Sequence, residues 1–176
     1  MEAPFLILAN TPWWVFLLLA LLVWLGASAL RPRTVPLRRV FITPAIFVTW
    51  GLVGVAMAAQ AAPAIVPDWG LAAVACCSLA FFSVRLKGLR ADHSRAMVEL
   101  PGSRLPLIRN LAIFAAKYGL AATMARHPGM RGELLPWDMA VSGAAFGYFL
   151  GWTLRFLVSY RRAGGDLAPA PRSSLP

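Results

Sequence analysis

Residues 13–30 read WWVFLLLALLVWLGASAL, an apolar run that contains no charged side chain. A helix needs about 20 such residues to cross the hydrocarbon core of a bilayer, so the run predicts a membrane-spanning helix. Thr11 and Pro12, directly before it, are typical of a helix start. The run is followed by RPRTVPLRR, whose arginines we interpret as membrane anchors: Arg31, Arg33, Arg38 and Arg39.

The composition indicates the same environment for the whole chain. Of 176 residues, 59% are apolar and 14% are charged, and the mean hydropathy is +0.66. The net charge of +10 would also suit a nucleic-acid-binding protein. Because the basic residues lie beside the apolar runs, we interpret them as topological signals. We therefore expect the lipid bilayer as a partner and no nucleic acid.

Further apolar runs predict one integral membrane domain over residues 1–162 and a disordered cytoplasmic tail at 163–176. The expected fold class is all-α, a polytopic transmembrane helical bundle of about five spans. The predicted spans are approximately 11–30, 40–62, 69–84, 106–125 and 136–160.

The positions of Lys and Arg predict the orientation. Four follow the first span, none follows the second, six lie from Arg85 to Arg109, and two follow the fourth span. This alternation favours a bacterial cytoplasmic (inner) membrane protein with its N-terminus outside and its C-terminus in the cytoplasm. The connection between spans three and four is then cytoplasmic. We predict a short loop or a small hairpin there, in which MVEL pairs with SRLPL around Pro101 and Gly102.

The fifth predicted span has a face of small residues. Its members are Ala140, Gly143, Ala144, Gly147 and Gly151, with the glycines four residues apart. Such a face lets another helix backbone approach closely. We favour packing within the chain, with a homo-oligomer or another membrane protein as the alternative.

Lys117 is the candidate intramembrane polar site, and it shares a helical stripe with Asn110. A lipid-facing ammonium near the bilayer centre costs about 2.5–3.5 kcal/mol, so an ionisable group there is a functional hypothesis. Its long side chain could instead snorkel. Asp138 is expected only one turn inside the next span, so we predict no direct bond between it and Lys117. We interpret Arg109 and Arg155 as further membrane anchors.

The remaining reactive residues give no catalytic signature. Cys76 and Cys77 are adjacent in the third span, and we interpret them as small packing residues rather than redox groups. His93 and His127 fall in loops predicted on opposite sides of the membrane. We therefore expect no metal and no cofactor, and we favour a protein without catalytic activity.

Three elements carry a resemblance to known families: RPRTVPLRR after the first span, the LPGS turn, and GWTLRFLVSYRR at the end of the fifth span. The chain resembles small, uncharacterised bacterial inner-membrane proteins that share TPxWV and RPRxVxLRR elements. It is more distantly similar to CcdC-type membrane proteins. The CcdC resemblance implies an association with cytochrome c biogenesis but no catalytic residue, and the chain has no CXXC motif.

These observations leave three hypotheses for function. The favoured one is a non-catalytic structural or accessory component of a membrane complex. The alternative is a small oligomeric transporter or ion-coupled carrier that uses Lys117. The weaker alternative is a redox or cytochrome-biogenesis accessory.

Overall fold

A computed structural model of the chain describes residues 11–84, 86, 89–92 and 95–163. His93 and the predicted tail from residue 164 onward lie outside the described residues. The described chain is a helical bundle, which confirms the predicted fold class. Its helices are α1 (Trp13–Ser28), α2 (Leu37–Ala61), α3 (Val66–Ser83), α4 (Leu105–Arg126) and α5 (Arg131–Arg162).

Three segments of the described chain are long and apolar enough to cross a membrane. They are Leu37–Gln60, Pro63–Ser83 and Pro128–Arg162, while Trp13–Ser28 is a shorter apolar helix. The protein is therefore a transmembrane helical bundle. Helix α4 (Leu105–Arg126) is not among these three segments, and it carries the charged residues Arg109 and Lys117 within its length.

Two helices extend through prolines that we expected close to their first turn. Pro44 lies in the second turn of α2, and Pro136 is the sixth residue of α5. A proline removes one backbone donor from a helix. In both places the preceding residues continue the helix, so α5 begins at Arg131, five residues before the predicted start of that span. This shift moves Asp138 deeper into the bundle than predicted.

The closest contact in the bundle joins α5 to α3, which run parallel. Each glycine of the small face of α5 lies against a backbone carbonyl of α3: Gly143 at Trp69, Gly147 at Ala73, and Gly151 at Cys77. A Cβ atom at any of the three would overlap that carbonyl oxygen. The absence of a side chain is therefore what allows the two backbones to touch.

Helix α5 also contacts the two other helices that flank it. On α2, Phe47 stacks on Phe149 with ring centroids 4.3 Å apart, and Phe41 meets Phe156 edge to face at 5.6 Å. Helix α4 packs along α5 as well, and α1 packs mainly on α4, where Gly26 lies against Leu107. Helix α5 is therefore the centre of the bundle.

A small antiparallel sheet covers one end of the bundle, which we call the sheet end. Its strands are β1 (Arg33–Pro36), β2 (Arg90–Asp92) and β3 (Met97–Leu100), in the order β1-β3-β2. The opposite end, the far end, is formed by the turns at Pro63–Ile65 and Pro128–Met130. Val98 of the central strand is fully buried and belongs to a core cluster with Val35, Val40 and Phe156.

The predicted pairing of MVEL with SRLPL is wrong. MVEL forms β3, but its partners are β1, directly after the first helix, and β2. The segment SRLPL cannot be the second strand because α4 already begins at Leu105. The Ser103 amide instead donates to the Ala29 carbonyl at 2.8 Å, which ties the start of α4 to the end of α1.

The glycine contact predicts a sharp difference between two Gly→Ala substitutions. Gly147→Ala should lower the free energy of unfolding by about 1–3 kcal/mol, because the methyl group overlaps the Ala73 carbonyl. Gly119→Ala in α4 is the matched control, because its Cβ would meet no atom within 4 Å. The control should be neutral or stabilising by about 0.5–1 kcal/mol. Unfolding in mixed micelles measures both, and equal effects would contradict the close approach.

Candidate functional site

Lys117 is bonded to α5. Its Nζ atom donates to Asp138 Oδ1 at 2.5 Å and to Ser142 Oγ at 3.0 Å. Ser142 Oγ in turn donates to the backbone carbonyl of Asp138 at 3.0 Å. We call Lys117, Asp138 and Ser142 the lysine site.

The prediction that Lys117 and Asp138 would not bond directly is wrong. It assumed that the last helix begins near Pro136, which would put Asp138 one turn inside. Because α5 begins at Arg131, Asp138 lies about 10 Å along its helix at 1.5 Å per residue. Lys117 lies about 13 Å from the end of α4. The difference in depth between the two residues is therefore shorter than a lysine side chain.

The lysine site is partly accessible at the surface of the bundle. The Lys117 side chain is 38% exposed and that of Asp138 is 15% exposed. Opposite charges at this distance attract each other, and the attraction is stronger in a low-dielectric environment than in water. The site can therefore hold α4 against α5 with no net charge. Because the Lys117 side chain is 38% exposed, a group that approaches from outside can reach its ammonium.

Asn110 does not join the lysine site. It is 4% exposed, and its Nδ2 atom donates to the Leu22 carbonyl of α1 at 3.3 Å. Its Oδ1 atom accepts from Arg109 Nε at 3.2 Å and Nη2 at 3.0 Å. The two residues share a stripe as predicted from spacing, but seven residues separate them by about 10 Å along the helix. They consequently contact different helices.

Arg109 lies inside the bundle rather than extending toward a headgroup layer. Its guanidinium carbon is 4.4 Å from the Phe149 ring centroid and 5.1 Å from that of Tyr148. Such cation–π contacts, together with the Asn110 acceptor, offset part of the cost of removing the charge from water. This placement differs from the anchor role predicted for Arg109.

The other predicted anchors lie at the sheet end. Arg155 Nε donates to the Val84 carbonyl at 3.3 Å, just after α3 ends. Four arginines around β1 are exposed, namely Arg31, Arg33, Arg38 and Arg39. Arg33 also donates to the Ser28 hydroxyl at 2.9 Å. Their position suits contact with lipid headgroups, which stays a prediction.

The remaining predicted site residues are accounted for as follows. Ala140 and Ala144 of the small face are half-buried, whereas its three glycines are buried. Cys76 and Cys77 are free, half-buried thiols. His127 is exposed at the far end. Among the described residues, no three His, Cys, Asp or Glu side chains are grouped closely enough to hold a metal ion.

Two polar contacts were missed by sequence analysis. Ser142 joins the lysine site, and the signal for it is its i+4 spacing from Asp138, which places both on one face. Tyr118 bonds through its hydroxyl to Thr11 at 2.5 Å, connecting α4 to the start of α1. No sequence signal identifies that pair, because its members are 107 residues apart.

The fold and these contacts define a transmembrane helical protein whose intramembrane polar side chains connect helices. The chain belongs to a family of unknown function, DUF6622, whose model matches residues 3–170. No curated protein and no solved structure matches the chain.

Substitutions in the lysine site should be non-additive. Lys117→Met and Asp138→Asn should each lower the free energy of unfolding by about 1–3 kcal/mol, because each leaves a charge without its partner. The double variant should lose less than the sum, with a coupling of about 1 kcal/mol. Unfolding of all four proteins in mixed micelles gives the coupling directly.

The control for this cycle is Asp68→Asn, which removes an exposed carboxylate near the start of α3. Combined with Lys117→Met, it should show additive effects, because Asp68 makes no described contact with Lys117. Additivity of the Lys117 and Asp138 substitutions would contradict the pairing.

Proposed function

We propose that the protein is a non-catalytic structural or accessory component of a membrane complex. The observation that carries this proposal is the bonding of Lys117 to Asp138 and Ser142 of the same chain. A side chain that binds a transported substrate must be able to exchange its partners, whereas this ammonium already has two. The Lys117 ammonium thus holds α4 to α5.

Asn110 supports the same interpretation, because its amide connects α4 to α1 through the Leu22 carbonyl. The two polar residues of the stripe therefore link α4 to a different helix each. Helix α4 acts as the connection between α1 and the rest of the bundle, a role in assembly rather than in chemistry.

The outer surface offers apolar side chains to lipid or to a partner. Trp50 and Met57 of α2 are 76% and 67% exposed, and Trp13 of α1 is 73% exposed. In a membrane these side chains contact lipid tails, another membrane protein or a second copy of the chain. The partners that we propose are the bilayer together with one such protein surface.

We place the protein in a bacterial cytoplasmic membrane as a five-pass protein, with the sheet end in the cytoplasm. The support is the charge difference between the two ends. Four arginines lie around β1 at the sheet end, namely Arg31, Arg33, Arg38 and Arg39. At the far end, the turn at Pro63–Ile65 has no basic residue and the turn at Pro128–Met130 is flanked by two, Arg126 and Arg131. Positive residues are retained on the cytoplasmic side of bacterial inner membranes.

Reporter fusions test this orientation. A reporter after Gly102 should give a cytoplasmic signal, and reporters after Pro63 and Gly129 should give an external signal. The expected pattern follows from placing both turns of the far end outside. A cytoplasmic signal at Pro63 would contradict the five-pass arrangement, with the Gly129 fusion as the internal comparison.

A second candidate is a small oligomeric transporter or ion-coupled carrier that uses Lys117. The observation that favours it is the 38% exposure of the Lys117 side chain while it is bonded to Asp138. An accessible pair of opposite charges can open to take up a proton or an anion. A third and weaker candidate is a redox or cytochrome-biogenesis accessory, for which the adjacent free thiols Cys76 and Cys77 are the supporting observation.

The first two candidates differ in whether the protein still functions when it is folded but has lost the Lys117 cation. The double variant Lys117→Met/Asp138→Leu replaces the ion pair by apolar side chains and should therefore stay in the membrane at the wild-type level. An accessory protein of this kind should still complement a strain that lacks it. The matched control is Lys117→Arg, which keeps the cation.

Reconstituted liposomes with an internal pH dye supply the second readout. Under the accessory proposal, wild-type protein and both variants should give the same ion and proton flux as liposomes without protein. A flux carried by wild-type protein and Lys117→Arg, and abolished in the folded double variant, would overturn the accessory proposal in favour of the carrier.

A further inference from the structure

A shallow cavity of about 240 Å³, open to the surface, lies at the sheet end between the last turns of α5 and the chain that leaves α3. Its lining combines polar with apolar side chains. The polar ones are the two cations Arg155 and Arg162 and the hydroxyl of Ser159, and the apolar ones include Leu86, Leu89 and Val158. Arg155, its lining residue nearest in sequence to the lysine site, lies about 20 Å along α5 from Ser142. The bonds that link α4 to α5 at the lysine site therefore do not explain the cavity.

The two arginines of this cavity have no described carboxylate partner. The Nε atom of Arg155 donates to the Val84 carbonyl, which fixes the guanidinium beside the cavity. Its two Nη atoms make no hydrogen bond with the described residues, and neither does the guanidinium of Arg162. Two cations next to one cavity repel each other, and an anion bound between them would offset this repulsion.

The partial negative charges of the nearby helix ends do not balance the positive charge of both arginines. Helices α3 and α5 end beside the cavity at Ser83 and Arg162, and each carboxyl-terminal end contributes about half a negative charge. The Nε bond of Arg155 already satisfies the carbonyl at the end of α3. The two guanidinium groups carry about twice the charge of the two helix ends, so within the described part of the chain positive charge remains for a ligand.

The chemistry of the lining selects a phosphate that carries an apolar group. Guanidinium forks match the geometry of phosphate oxygens, and the Ser159 hydroxyl supplies a further donor. Leu86, Leu89 and Val158 would contact the glycerol and the first methylenes of a lipid. The exposed side chain of Phe82, near the end of α3, belongs to the surface that faces lipid tails. A cavity of this size admits a headgroup, not the acyl chains.

We propose that this cavity binds the phosphate group of an anionic phospholipid. The phosphate lies between the guanidinium groups of Arg155 and Arg162, and the acyl chains run along the outside of α3 and α5. The proposal is independent of the function proposed above, since it involves neither the lysine site nor α4.

Native mass spectrometry of the full-length protein in detergent tests the proposal with three probes. They are dioleoyl phosphatidylglycerol, dioleoyl phosphatidylcholine and soluble glycerol 3-phosphate. Phosphatidylglycerol should bind about tenfold more tightly than phosphatidylcholine, and glycerol 3-phosphate should bind at least tenfold more weakly than phosphatidylglycerol.

Arg162→Gln and Arg161→Gln form a matched pair of variants. Both remove one exposed cation from the last turn of α5, but only Arg162 lines the cavity. Arg162→Gln should weaken the binding of phosphatidylglycerol by about five- to tenfold, the loss of a charge-assisted hydrogen bond. Arg161→Gln should change it less than about twofold, since the Arg161 side chain does not line the cavity.

A further variant, Ser159→Asp, places a carboxylate in the lining and should also weaken phosphatidylglycerol binding while leaving phosphatidylcholine unchanged. Equal losses for Arg161→Gln and Arg162→Gln would overturn the proposal in favour of a diffuse basic surface. Equal affinities for the two lipids would overturn it as well, and so would glycerol 3-phosphate binding as tightly as the lipid.

Discussion

The backbone contact between α5 and α3 is the constraint on which the rest of the bundle depends. In a bilayer the lipid tails are as apolar as leucine, so helices associate through close packing and polar bonds rather than through burial of apolar surface. Gly143, Gly147 and Gly151 let α5 touch α3 along its length. With α5 fixed in this way, α2 and α4 have a central helix against which their aromatic and polar side chains can pack.

The features predicted correctly from the sequence are those that a local residue pattern determines. The four-residue spacing of the glycines identified the close-packing face of the last helix, and apolar runs indicated the helices. The pairing of β1 with β3 was missed because these four-residue strands are separated by two helices and carry no mutual signal. The Lys117–Asp138 bond was missed because Pro136 was taken as a helix start. Helices tolerate a proline near their beginning, so a proline gives the boundary only to within a turn or two.

The position of α4 explains how a helix with Arg109 and Lys117 is accommodated in a membrane protein. An unpaired charge facing lipid is costly, but α4 lies between α1 and α5. Arg109 meets Asn110 and the Phe149 ring, and Lys117 meets Asp138. The charges that prevent α4 from resembling an apolar span are thus the same groups that fasten it to its neighbours.

The cation inside the bundle and the cations at the sheet end therefore differ in whether a described carboxylate already pairs with them. Lys117 in the bundle is matched by a carboxylate of the same chain, so its charge contributes to assembly and leaves little field outside. Arg155 and Arg162 at the sheet end have no described carboxylate partner and face a cavity. The guanidinium carbon of Arg155 lies 6.0 Å from the Phe81 ring centroid and Arg162 is exposed, so a negatively charged ligand would meet cations that no described carboxylate already matches. We therefore propose the sheet end as the region that binds a ligand, and the polar residues of the spans as contacts between helices.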